Sequence, residues 1–599
     1  MILNQSKSGF MCGIIGYVGN RKASPILLES IKKLEYRGYD SIGMCTIGSN
    51  LNILKGAGRI DDVDNRLNFT SLPGTIGISH TRWATHGGVT DYNAHPQTDC
   101  SGKIAVVHNG IIENYSELKK ELIKKGHKFS SETDTEVIPH LIEDCINTGS
   151  DFREAVIKAS NRLDGLFAFI LIDENDSGRI IATKNKCPLV LGIGSNENFV
   201  GSDVVSFPNQ TNKVVFLDDG ETVEITKNDF KVFDKEGKPK NKKIDTIKWS
   251  PEQAKKSGYK HFMIKEILEQ KETVDRVLSH DKKTIGKIAK MINDAFGVFF
   301  VACGTSYHAC LSAGYIFSKI TKKHVNVYLA SEFPNFSHFL TKNTLMITVS
   351  QSGETADVLE AVRVAKEKGV KVISLVNVMG SSLMRMSDFT LLLNAGPEIC
   401  VLATKSFTSQ LALLYLLAYT CVGKYGEGKE KLKAVSEKLK DVLSEDNIQK
   451  IRKLAKDLKD EENIYLIGRG LSYSTTLEGA LKLKEVSYIH AEGLAGGELK
   501  HGTLALIERG TPCIAMVPDN DGKQDILSNA MEIKSRGGYI IGIANEEDEV
   551  FDYSIIIPKV EMHPILMIIP IQLLAYYLAL ERGCDPDKPR NLAKSVTVK

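Results

Sequence analysis

The sequence predicts a multidomain α/β protein: a layered head of mixed strands and helices, then two tandem halves built on doubly wound parallel sheets. Three observations carry this. At 599 residues the chain holds roughly three to five domains of ordinary size. Its first part mixes short β-branched runs with amphipathic helical stretches. Beyond about residue 285, long apolar runs alternate with helices, the pattern of a buried parallel sheet.

In the head, IGISH (76–80), KIAVVHNG (103–110), FAFILID (167–173), RIIATK (179–184) and NFVGSD (198–203) read as strands bounded by Gly, Asn and Asp. SELKKELIKK (116–125) reads as a helix with Leu118, Leu122 and Ile123 on one face. KEGKPKNKK (235–243) is charge-rich and nearly free of apolar residues, so it is expected to be a linker. Then VFFVACG, VNVYLA, TLMITVS and KVISLVN alternate with helices. GVFFVACGTSYHACLSAGYIF (297–317) is echoed by NIYLIGRGLSYSTTLEGALKL (463–483), which predicts two related subdomains.

Lys plus Arg (76) nearly balance Asp plus Glu (74), and 42% of residues are hydrophobic, so neither a nucleic-acid footprint nor disorder is indicated. Eleven cysteines without a CxxC pair do not read as a disulfide framework or a zinc site, and a reducing, cytoplasmic setting is expected. Residues 406–423 and 563–580 are uncharged but only just reach the roughly 17–25 residues of a membrane span. Ser, Thr and Gln in the first, and Pro564, Pro570 and Gln572 in the second, mark them as buried core helices. The N-terminus MILNQSKSGF is too short and polar for a signal peptide.

Polar clusters with sharp spacing stand out in the head: Cys12-Gly-Ile-Ile-Gly, Tyr36-Arg-Gly-Tyr-Asp40-Ser, His80-Thr-Arg-Trp-Ala-Thr-His86-Gly, Asn93-Ala-His-Pro96, His108-Asn-Gly-Ile-Ile-Glu-Asn114 and Glu132-Thr-Asp134. Taken singly they are ordinary: a buried thiol, a hairpin turn at Asn109-Gly110, surface ion-pair residues. In the second part a strand ends in Ser350-Gln-Ser-Gly-Glu-Thr355 before a helix, an arrangement of hydroxyls and free N–H groups suited to an anion. No GxxxxGK[ST] is present, so a nucleoside-triphosphate site is not indicated.

Together these blocks resemble the glutamine–fructose-6-phosphate aminotransferase family: an N-terminal-nucleophile (Ntn) αββα glutaminase domain joined to two sugar isomerase (SIS) domains, closing in Pro589-Arg-Asn-Leu-Ala-Lys594-Ser-Val-Thr-Val. The resemblance implies an extension at 1–11 absent from the mature protein, a glutamine amidotransferase domain at 12–235 and a linker at 236–262. SIS domains follow at 285–425 and 452–589, with a tail at 590–599 closing the sugar site. Cys12 is implied as the nucleophile, with its own α-amine as base, and Asn109 and Gly110 as oxyanion donors. Arg82, Thr85 and His86 are implied to bind the glutamine carboxylate and Asp134 its ammonium group, with Trp83 gating an ammonia passage. Thr305, Ser306, Ser350, Gln351, Ser352 and Thr355 are implied to hold the sugar phosphate. Glu485 is implied as the base between C1 and C2, His501 as the ring-opening group acting in the neighbouring subunit, and Lys594 as the Schiff-base lysine, with burial favouring its neutral form.

The implied partners are L-glutamine and D-fructose 6-phosphate, in a cytoplasmic homodimer without metal, nucleotide or pyridoxal phosphate, and without nucleic acid or membrane. The implied reaction opens the hexosamine pathway; the alternative is a non-catalytic SIS-type sugar-phosphate sensor. Ten residues precede Met11, so Cys12 as written carries an amide. Initiation at Met11 with its removal is the expectation; a cleaved propeptide or an impaired glutaminase are the alternatives. Thr503, Cys400, Leu402 and Ala403 depart from the family wording, in the sugar loops.

Overall fold

A computed structural model describes residues 12–84, 86–207, 211–247 and 256–596. The described residues fall into two compact units, the first up to Ile247 together with Ser595 and Val596, the second from Lys256 to Lys594.

The first unit is a sandwich of two largely antiparallel sheets. The strands Gly13–Val18, Ser41–Ile47 and Ile76–Arg82 lie in an eight-stranded sheet, and Ile104–Ile112, Gly165–Asp173 and Arg179–Asn185 in a seven-stranded one. Strand periodicity explains the layering. Ala105, Val107, Ile170 and Ile172 meet Ile14, Val18, Ile76 and Ile78 between the sheets. Ile104, Val106, Phe169 and Leu171, one residue out of phase, cover the helices Tyr115–Lys124, Val137–Asn147 and Phe152–Ser160. The helix Ala23–Lys32 packs on the other sheet, completing an αββα stack.

Two expectations change here. Leu118 and Leu122 are buried, but Ile123 is 52% exposed, because it sits about 100° further round the helix than Leu122. His108, Asn109 and Gly110 lie inside a strand, as the reading of 103–110 expects; Gly110 has φ +116°, and a Cβ there would collide with the Leu166 carbonyl. The charged run expected as a linker is built into the head. Pro239–Lys240 pairs with Phe230–Phe233 and Asp245–Thr246 with Lys213–Val214. Lys240 and Lys242 reach the buried Glu221 at 2.7 Å, so the run's charge serves an ion pair. At the other end of the expected linker, Phe262 already opens a helix.

The second unit contains two five-stranded parallel sheets of the same order. The first runs Asn326–Leu329, Gly297–Ala302, Thr344–Ser350, Lys371–Val376, Phe389–Leu392; the second runs His490–Ala495, Asn463–Gly468, Pro512–Val517, Tyr539–Ala544, Tyr553–Ile556. In each, the chain reverses direction across the sheet beside its first strand, which is where open α/β sheets leave a crevice. The sheets share one core, in which the helices Lys405–Cys421 and Pro564–Glu581 are central. Among the described residues, Pro564–Glu581 is the one helix long and apolar enough to cross a membrane, and 83% of it is buried inside the protein. Its buried Gln572 accepts from Gln270 Nε2 at 2.7 Å, and Gln270 in turn accepts from Thr408 at 2.9 Å. Asp587 caps the first helix of the unit, accepting from the N–H groups of Phe262 and Met263 at 2.8 Å each.

Candidate active sites

In the head, Cys12 immediately precedes the strand Gly13–Val18 and is only 7% exposed. The Trp83 N–H donates to its Sγ at 3.2 Å. Burial pushes the thiol up to about 11, against the lowering effects of that N–H and of Arg82. At neutral pH Cys12 is therefore a thiol that needs a base. Asp134 and Asp40 are close enough to act on it electrostatically.

Asn109 is fully buried, and neither its Nδ2 nor its Oδ1 has a protein partner. An amide left in that state is costly unless something else occupies it. Asp134 is buried and accepts from the Ile112 N–H through one oxygen at 2.8 Å, which leaves the other for a ligand. Arg82 donates to the carbonyls of Gly88 (3.1 Å), Gly87 (3.3 Å) and His86, so it also fastens the loop that carries His86. His86 stacks edge-on against Tyr115, and its Nδ1 has no partner. The Trp83 ring meets Tyr39 edge-on at 5.2 Å. Thr85 lies outside the described residues, as do residues 1–11.

In the second unit, the strand Thr344–Ser350 runs beside Gly297–Ala302, so the loops Ser350–Thr355 and Cys303–Ser306 open side by side at the sheet's switch point. Gly353, at φ +67°, turns the first loop, and a Cβ there would strike Ser381. Ser350 Oγ accepts from the Gly353 N–H at 2.9 Å and Ser352 Oγ from the Glu354 N–H at 3.2 Å. Thr355 makes no side-chain cap on the helix Ala356–Glu367, which leaves the first-turn N–H groups open to an anion. Ser306 is turned inward: its hydroxyl accepts from Gln410 at 2.9 Å.

A chain of charged groups begins at Thr305. Its hydroxyl donates to Glu478 and accepts from Lys482, both at 3.0 Å. Lys482 is fully buried between Glu478 at 3.3 Å and Glu485 at 2.7 Å; burial alone would lower its pKa, but the two carboxylates raise it. Glu485 is shifted upward, chiefly by burial, with Lys482 and Lys594 opposing. That is the direction expected of a carboxylate that must accept and return a proton.

Lys594 is buried against Glu398 at 2.6 Å and also donates to the Leu402 carbonyl at 3.4 Å. In this state the Lys594 amine is engaged by the Glu398 carboxylate. Glu398 accepts in addition from the N–H groups of Thr404 (2.9 Å) and Ser406 (3.0 Å) and from Ser406 Oγ (2.8 Å). Burial would raise its pKa, but Lys594 and these donors depress it. Nearby Glu266 is pushed up to about 8 by burial and the negative charge of Glu398, against Lys405 and Lys594.

Sequence reasoning did not find Glu398, Glu266 or Lys405. The available signal was a single carboxylate, Glu398, in an otherwise uncharged run from Leu391 to Thr404. His501 is exposed on a short turn of helix at Gly496–His501. Among the described residues, no hydrogen bond or ion pair joins it to Glu485.

Sequence profiles agree with this division. The glutamine amidotransferase domain matches residues 80–208, and the SIS domain matches residues 291–420 and 457–582. A glutamine–fructose-6-phosphate aminotransferase (isomerizing) of Thermococcus kodakarensis is 48% identical, covering 98% of this chain and all of its own; that of Pyrococcus horikoshii is 47% identical with the same coverage. Among solved structures, the C-terminal domain of glucosamine-fructose-6-phosphate aminotransferase from Francisella tularensis is 34% identical. It covers 56% of this chain and 99% of its own, with a TM-score of 0.52.

Removing the Glu398 charge tests the buried pair. Glu398→Gln strands Lys594 and should cost about 3–5 kcal/mol at neutral pH. Because the folded-state pKa of Glu398 is depressed, its contribution is fully present above the ordinary value of 4.5 and is lost as pH falls from there through the folded value. Denaturant titrations of wild type and variant should differ at pH 7 and converge under acid. A constant difference across that window contradicts the pairing.

Proposed function

The chain belongs to the isomerizing glutamine–fructose-6-phosphate aminotransferases, and on that premise we propose how its residues share the work. The enzyme transfers the amide nitrogen of L-glutamine to D-fructose 6-phosphate, releasing L-glutamate and D-glucosamine 6-phosphate. Its two domain types fit catalysis and not a sugar-phosphate sensor without activity.

The observation that carries the head assignment is the unpaired, buried amide of Asn109 in the same unit as the buried thiol of Cys12. Cys12 attacks the glutamine amide once its proton passes to its own α-amine, which titrates near ~8 when free. Asn109 Nδ2 and the Gly110 N–H receive the oxyanion, a contact whose loss typically costs ~10²- to 10³-fold in rate. Arg82, Thr85 and His86 take the substrate carboxylate and Asp134 its ammonium. Ammonia is a nucleophile only while unprotonated, and the Trp83 ring, whose backbone already touches Cys12, gates its passage to the sugar.

In the second unit, the loop Ser350–Thr355, with Gln351 and Ser352, holds the phosphate. Thr305 bridges that loop to the charge chain, and Ser306 contributes its N–H at the start of the helix Gly304–Thr321. Lys594 leaves Glu398 to form an imine at C2 of the open-chain sugar. Glu485 moves the proton between C1 and C2, its charge balanced by Lys482. His501, exposed in this chain, assists ring opening in the partner of a homodimer. The eleven free cysteines are in keeping with a reducing cytoplasm.

Four experiments test this. A fixed peptide ahead of Cys12, or Cys12→Ala, should abolish glutamine hydrolysis while ammonia-driven synthesis persists, and Trp83→Ala should hydrolyse glutamine yet yield less glucosamine 6-phosphate per glutamate. Full glutamine hydrolysis by the extended form removes the amine base, and an unchanged product ratio removes the gate. Borohydride reduction with fructose 6-phosphate should label Lys594 and fail in Lys594→Arg; labelling of another lysine refutes the assignment. Mixed His501→Ala and Lys594→Ala chains should regain part of the activity that neither has alone, and proven heterodimers without recovery show a site built within one chain.

A further inference from the structure

Apart from the residues assigned to catalysis, four side chains capable of binding a metal converge in the head. Cys100 lies in the turn between the strands Gln97–Thr98 and Ile104–Ile112, and His127 follows the helix Tyr115–Lys124. His140 and Glu143 sit one turn apart on the helix Val137–Asn147. Their ligand atoms all lie within 4.8 Å of one another. Cys100 Sγ is 3.6 Å from His127 Nδ1 and 3.5 Å from His140 Nδ1; Glu143 Oε2 is 3.0 Å and 3.4 Å from the same two nitrogens. A tetrahedral zinc ion with bonds of about 2.0–2.3 Å sets its ligand atoms ~3.3–3.7 Å apart.

We propose that Cys100, His127, His140 and Glu143 form a four-coordinate structural zinc site. Both imidazoles turn Nδ1 inward and Nε2 toward an outer carboxylate: His140 Nε2 lies 3.7 Å from Glu136 and His127 Nε2 3.9 Å from Asp144. These outer contacts are longer than hydrogen bonds; a bound ion taking the Nδ1 lone pairs would move each ring proton to Nε2, facing the carboxylate as in carboxylate–histidine–zinc sites. Glu136 is itself fixed by the N–H groups of Ser130 and Ser131, both at 2.6 Å. Burial and the nearby Glu143 raise the Cys100 thiol, opposed by the Lys128 N–H, which donates to Sγ at 3.4 Å; the charge of a bound ion would be what holds the thiolate. One thiolate and one carboxylate neutralise the dication, and the mixed S, N and O ligands suit zinc over magnesium or calcium. With four protein ligands the ion has no open position, so its role is to clip three segments together. The clipped helix follows directly on Asp134–Glu136, so the ion fixes the segment that carries Asp134.

No CxxC pair announces this site in the sequence, because its ligands are brought together only by the fold. The test uses the full-length protein, stripped of metal and titrated with Zn²⁺ alone or Co²⁺ alone. A single equivalent should bind. Cobalt should give intense visible ligand-field bands and a near-ultraviolet thiolate charge-transfer band, and zinc should raise the thermal midpoint. Cys100 is exposed, so Cys100→Ser disturbs little else; it should lose the charge-transfer band and the zinc-dependent rise, and His127→Gln should weaken uptake. Failure of stripped wild type to take up either ion, or an unchanged spectrum and midpoint in Cys100→Ser, overturns the proposal and leaves a hydrogen-bonded cluster.

Discussion

The second unit is organised around one buried carboxylate. The Glu398 side chain has no access to water and accepts from four groups: two backbone N–H groups at the start of the helix Lys405–Cys421, the Ser406 hydroxyl and the Lys594 ammonium. A charge so placed is tolerated only when its lone pairs are used. Satisfying it therefore orders the loop 398–406, orients the central helix, and draws the end of the chain to the same point. Asp587 repeats the device nearby in the chain, since its own partners, the N–H groups of Phe262 and Met263, tie the C-terminal segment back to the first helix of the unit.

The two reaction centres handle charge in opposite ways. In the head, burial raises the Cys12 thiol, which favours its neutral form, and the Asn109 amide is buried without a protein partner; the proposed mechanism completes its hydrogen bonds with substrate. In the isomerase unit, charges are already present and paired in series: Thr305, Glu478, Lys482, Glu485 on one side, Lys594, Glu398 on the other. In the proposed mechanism, turnover there exchanges partners within a network whose total charge changes little, which avoids creating an uncompensated ion in a dry interior.

Much of this is legible in the sequence. Strands such as Thr344–Ser350 and Ile76–Arg82 are β-branched, apolar and bounded by turn residues, so local chemistry alone defines them. The loop Ser350–Thr355 is legible for a similar reason, since a hydroxyl cluster between a strand and a helix has few other uses. What sequence reading misses depends on long-range closure. Glu398 meets Lys594 across 196 positions in the chain. The run 235–243 looks like a linker because its lysines show no local partner, and Glu221 lies in an earlier turn.

The apolar helix Pro564–Glu581 also bears on how the polypeptide is made. It follows every other described helix and strand of its unit in chain order, yet it lies in the core shared by both parallel sheets. Apolar surface on helices such as Lys405–Cys421 and Leu471–Ser487 must stay uncovered until it emerges. The head, whose described core draws only on residues before Ile247, is under no such delay. During translation the ribosome thus carries a finished first unit and an unfinished second one, and the interval between them is when the nascent chain most needs protection from aggregation.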